Sequence, residues 1–84
     1  MKIYVLSIID LENVGYSTKD VEVYTNKEEA TESMRKQYLK TCEEWGIDDP
    51  YEDDNMDHSF TSNYAFIFGE HYWDIFEKEI TINQ

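Results

Sequence analysis

The chain is 84 residues long, with 19 acidic against 7 basic residues and a formal net charge of −12. That length allows one domain, residues 1–84. The charge disfavours direct contact with nucleic acid or with an anionic membrane surface, because both require clustered Lys and Arg. A single cysteine, Cys42, excludes an internal disulfide, and no apolar stretch is long enough to span a bilayer.

Seven Tyr, four Phe and two Trp offer large buried areas, which argues for a packed core. Residues 2–10 read as a strand with Ile3, Val5, Ser7 and Ile9 on one face and Tyr4, Leu6 and Ile8 on the other. The apolar run from Ile3 to Ile9 is short and has no small-residue cleavage site, so no signal peptide is expected and the cytoplasm is the expected compartment. Residues 11–20 are polar, contain Gly15 and read as a connection. Residues 21–25 form a second strand, with Val21 and Val23 expected inward.

A helix follows. Thr25 and Asn26 both suit an N-cap, with Glu28 and Glu29 three residues later respectively. Ala30, Met34, Tyr38, Thr41, Cys42 and Trp45 fall on one arc at helical spacing, and Leu39 departs from it. Gly46 is placed to end the helix in a left-handed conformation, with Ile47 folding back on Cys42. Residues 48–59 read as an acidic loop, and residues 60–68 as a strand with Phe60, Tyr64, Phe66 and Phe68 on one face. Gly69-Glu70 suits a tight turn, and residues 72–82 close the chain as a strand with Tyr72, Phe76, Ile80 and Ile82 inward. The expected fold is α+β: a four-stranded, mainly antiparallel sheet with one helix on one face, in the order β-β-α-β-β. The first and last strands are the most apolar and are expected to pair at the centre. One helix leaves a sheet face bare. The leftover residues expected there are Tyr4, Leu6, Ile8, Trp73 and Ile75, a patch that suggests a homodimer or another partner.

The charge is uneven. Residues 1–40 hold six basic and seven acidic residues, whereas residues 41–77 hold eleven acids and no Lys or Arg. Glu43, Glu44, Asp48, Asp49, Glu52, Asp53, Asp54 and Asp57 crowd into fifteen positions. These acids with Tyr51 are the candidate partner-binding residues, and the partner they imply is a basic protein surface. Carboxylates can stand where phosphates would lie, so mimicry of nucleic acid is one form of this reading. Tyr51, Phe60, Tyr64 and Trp45 are expected nearby to add apolar contact. Alternatively, the acids only keep a self-associating sheet protein soluble.

Asp53-x-Asn55-x-Asp57 matches the first three ligand positions of an EF-hand loop, but His58 stands where glycine belongs and Tyr64 where the bidentate Glu belongs. Asp53, Asn55 and Asp57 thus form only a weak cation candidate, and a small metal-dependent enzyme is a further alternative. His71-x-x-Asp74 has no zinc-like company. Cys42 lies on the apolar arc and reads as a core thiol. No phosphate-binding glycine loop or nucleophile elbow occurs, so neither a cofactor nor catalysis is expected.

The stretch Val21-Glu22-Val23-Tyr24-Thr25-Asn26-Lys27-Glu28-Glu29-Ala30 and the ending Tyr72-Trp73-Asp74-Ile75-Phe76-Glu77-Lys78-Glu79-Ile80 resemble segments of small acidic bacterial and phage-borne α+β proteins. The resemblance implies a bacterial or mobile-element origin. That group has no assigned activity, so no functional residue carries over.

Overall fold

A computed structural model describes residues 1–11, 18–51 and 57–81. Its elements are β1 (Lys2–Asp10), β2 (Thr18–Tyr24), α1 (Lys27–Glu44), β3 (His58–Phe60), β4 (Tyr64–Ile67) and β5 (His71–Glu79). The strands form one sheet in the order β2-β1-β5-β4-β3, and every pairing is antiparallel. The first and last strands do pair at the centre, in a register that sets Leu6 opposite Ile75 and Ile8 opposite Trp73.

The sheet has five strands where four were expected. The expected strand over residues 60–68 breaks at Thr61. The Thr61 hydroxyl accepts from the Asn63 and Tyr64 amides, a side-chain turn that competes with the sheet ladder. The break resets the alternation. Phe60 turns to the helix side and packs on Tyr38, while Tyr64 and Phe66 stack together on the other side. The turn between β4 and β5 is also shifted. Phe68 and Gly69, both at positive φ, are its central residues, and the Glu70 amide donates to the Ile67 carbonyl. This is the primed turn that suits the twist of a hairpin. In addition, β2 begins earlier than expected, at Thr18.

The helix forms as its caps dictate. Asn26, rather than Thr25, is the N-cap, and its side chain accepts from the Glu28 and Glu29 amides at 2.7 and 3.4 Å. At the other end Gly46 sits at φ +71, where its amide donates to Glu43 and that of Ile47 to Cys42. That is the six-to-one and five-to-two pattern of a Schellman cap. Between the caps Ala30, Met34, Tyr38 and Cys42 are buried against the sheet.

The core lies between α1 and one face of the sheet. Leu6, Met34, Tyr38, Cys42, Ala65, Ile67 and Trp73 are its buried members, with Ile8, Leu39, Phe60 and Ile75 packed around them. Full burial of one large apolar side chain contributes about 1.5–3 kcal/mol. Some polar groups in this layer have partners: Trp73 Nε1 donates to Gln37 Oε1 at 3.2 Å, and Glu22 accepts from the Tyr24 and Ser33 hydroxyls at 2.6 and 2.7 Å. The bond to Glu22 is the main reason the Tyr24 phenol is raised above its ordinary pKa. The Ser33 bond to the same carboxylate ties edge strand β2 to the helix.

This arrangement inverts the expected sheet faces. Leu6, Ile8, Trp73 and Ile75 were expected on the bare face, and they pack under the helix instead. Tyr4, on the same side of β1, donates its hydroxyl to Glu77. The bare face carries the other parity: Ile3, Val5 and Ile9 on β1, Val21 and Val23 on β2, and Tyr72 and Phe76 on β5. Val21, Val23 and Phe76, expected inward, are 50, 59 and 53% exposed. The polar residues explain the choice. Ser7 and Asp74, which pair across β1 and β5, share this second parity, whereas the parity of Leu6 and Trp73 offers the helix a continuous apolar strip.

Candidate functional site

The topology gathers acids at one end of the molecule. The helix runs toward the end of the sheet where β1 stops and β5 starts, since Asp10 pairs with His71 there. Trp45, just past the last helical turn, stacks on Phe68 at 5.0 Å and meets His71 edge-on at 5.8 Å. Glu43 and Glu44 therefore project beside the turn between β4 and β5. Both are exposed, and the last helical turn holds no basic residue. That is the wrong sign for the negative end of the helix dipole.

The segment after the helix is pinned to the core by its backbone. The Tyr38 hydroxyl donates to the Pro50 carbonyl, and His58 Nε2 lies 2.8 Å from the Asp49 carbonyl oxygen. A carbonyl only accepts, so this His58 nitrogen carries the proton. Tyr38 is fully buried, and burial is the main reason its phenol is raised far above the ordinary value. It thus stays a hydrogen-bond donor. Asp48 and Asp49 are exposed, and so is Tyr51, whose ring packs on Tyr38 and Phe60 at 6.5 and 5.8 Å. Asp57 is exposed, and its carbonyl accepts from the Phe68 amide, which sets Asp57 at the same turn.

Of the residues expected to bind a partner, the structure brings Glu43, Glu44, Asp48, Asp49, Tyr51 and Asp57 to this end. Glu52, Asp53 and Asp54 lie outside the described residues. So do Asp53 and Asn55 of the candidate cation loop. Among the described residues no group of three or more His, Cys, Asp or Glu is arranged to hold a metal ion. Trp45 and Phe60 adjoin the acidic end as expected, but Tyr64 does not, because it sits on the bare sheet face.

Sequence reasoning missed Asp10, Glu70 and Phe68. Asp10 and Glu70 join the acidic end through the hairpin geometry, with the Leu11 amide donating to the Glu70 carbonyl at 2.7 Å. The register of β1 against β5 would have revealed them. Phe68 is 42% exposed at positive φ, an unusual conformation for a large side chain, and its ring is held on Trp45.

A shallow cleft opens between the helix and this end of the sheet, lined by Asp10, Lys40, Glu44, His71 and Trp73 among others. His71 Nδ1 lies 3.7 Å from Asp10 Oδ1, an ion-pair distance when the ring is protonated. Asp74 points from the opposite face of β5, so His71 and Asp74 do not form a site. The neighbouring Thr41 hydroxyl donates to the Gln37 carbonyl. Cys42 is buried, and burial pushes its thiol up, which keeps it in the unreactive form.

No family model, curated protein or solved structure matches the chain. Among the described residues no helix is long and apolar enough to cross a membrane.

Proposed function

We propose that this chain is a non-enzymatic interaction module whose acidic end docks on a basic protein surface. One observation carries the reading: Glu43 and Glu44 are exposed at the helix terminus where the fold favours cations, beside Asp48, Asp49, Asp57 and Glu70. Local rules broken without a compensating contact mark residues kept for something other than folding. The backbone anchors at Asp49 and Pro50 support the same reading, since they pre-organise neighbouring carboxylates and lower the ordering cost of binding. Exposed Tyr51 and Phe68 offer the aromatic anchors that such interfaces use. A nucleic-acid-binding protein is the partner class that suits a row of carboxylates.

The test compares two variants of equal charge change. One carries Asp48→Asn, Asp49→Asn and Asp57→Asn at the acidic end. The other carries Glu28→Gln, Glu29→Gln and Glu32→Gln at the far end of the helix. Immobilised wild-type chain is expected to retain nucleic-acid-binding proteins at low salt and release them at high salt. The far-end variant should do the same, and the acidic-end variant should lose them. Equal retention by both variants would contradict the proposal.

A further inference from the structure

The sheet is covered by a helix on one side only, and among the described residues nothing packs on the other. The bare face is apolar along β1, β2 and β5, with Val5, Val23 and Phe76 in its span, and the stacked rings of Tyr64 and Phe66 extend it across β4. We propose that two copies of this chain pair through this face, related by a two-fold axis that crosses β5 at Phe76. This surface is distinct from the acidic end and independent of the function proposed for it.

Area is the first support. Strands β1, β2, β4 and β5 have nine, seven, four and nine residues. At about 4.8 Å between strands and about 3.4 Å per residue, their face projects to roughly 470 Å². Two such faces bury about 1,000 Å² once side-chain relief is included, which reaches the lower bound for a specific interface. The pair is therefore expected to be a reversible dimer rather than an obligate one.

Charge complementarity is the second. Asp74 and Lys78 both lie on this face, two residues to either side of Phe76. The Asp74 carboxylate is half-buried, set between Ser7 and Tyr64 in the sheet register, and makes no hydrogen bond or ion pair among the described residues. Lys78 likewise has no carboxylate within ion-pair distance there, because Lys2 and Met1 take Glu77 and Glu79 on other positions of the strand. A two-fold axis across β5 at Phe76 reverses the strand, so Asp74 of one copy faces Lys78 of the other, twice. Face-to-face sheets cross at about 30°, and a lysine stem is long enough to absorb the resulting sideways offset. Burial alone raises the Asp74 pKa, as expected of a carboxylate that lacks its partner in the single chain.

Sedimentation equilibrium of the full chain from micromolar to submillimolar concentration tests this. Wild type is expected to associate as a dimer. Phe76→Glu should leave a folded monomer, since Phe76 is 53% exposed and is not needed for the core. Asp74→Lys should weaken the dimer about tenfold, and the exchange Asp74→Lys with Lys78→Asp should restore it to within about threefold, as a coupled pair requires. A wild type that stays monomeric throughout would overturn the proposal. So would a dimer indifferent to these changes, or one that protects the outer-edge amides of β2 from hydrogen exchange, which would mark edge pairing instead.

Discussion

Asp74 shows how one side chain can weaken the fold that contains it. Its carboxyl pKa is raised by burial, with no positive charge to oppose the shift. A native pKa above the unfolded value means that the folded state holds the proton longer. Stability is then unaffected below the unfolded carboxylate range and is lost as pH rises through the raised native value. Asp74→Asn is expected to raise the melting temperature near pH 7, with the gain shrinking to nothing by about pH 3. Thermal melts of both proteins across that range, too dilute for self-association, check it. A gain independent of pH would show that desolvation of the charge is not the cause. The same substitution should weaken the dimer, so its effects on fold and on association have opposite signs.

At the scale of elements, the helix was the most legible part of the sequence. Asn26, Glu28, Glu29 and Gly46 marked both its ends, because caps act through local hydrogen bonds that neighbouring residues specify. The Gly46 cap makes a direct prediction. No atom lies within 4 Å of a Cβ added there, so Gly46→Ala meets only the backbone cost of positive φ. A loss of about 1 kcal/mol is expected. For a domain of this size that lowers the melting temperature by roughly 4–8 °C. A melt unchanged from wild type would mean that the left-handed cap does not set the helix end. The sheet was less legible. Both faces of β1 are apolar, so alternation alone did not say which side takes the helix. Ser7 and Asp74 carried that information, but only through the β1–β5 register. The Thr61 turn split one expected strand into two for a similar reason: a hydroxyl-to-amide bond decided it, not hydrophobic period.

The whole molecule separates two surfaces. One end concentrates acids from β1, the last turn of the helix, the following loop and the β4–β5 turn. The bare sheet face is nearly neutral, with one Asp74 and one Lys78 on its central strand. The sequence showed where along the chain the acids lie, but not that hairpin closure adds Asp10 and Glu70 to them or that Tyr64 turns away. On the proposed function, the acids at the helix terminus serve a partner and not the fold. Glu43→Gln with Glu44→Gln separates the two roles, through the melting temperature and through low-salt capture of basic nucleic-acid-binding proteins. Relieving the dipole conflict should stabilise the fold by about 0.3–1 kcal/mol per residue, so a higher melting temperature is expected together with weaker capture. A variant that melts higher and captures as well as wild type, or one that melts lower, would contradict it.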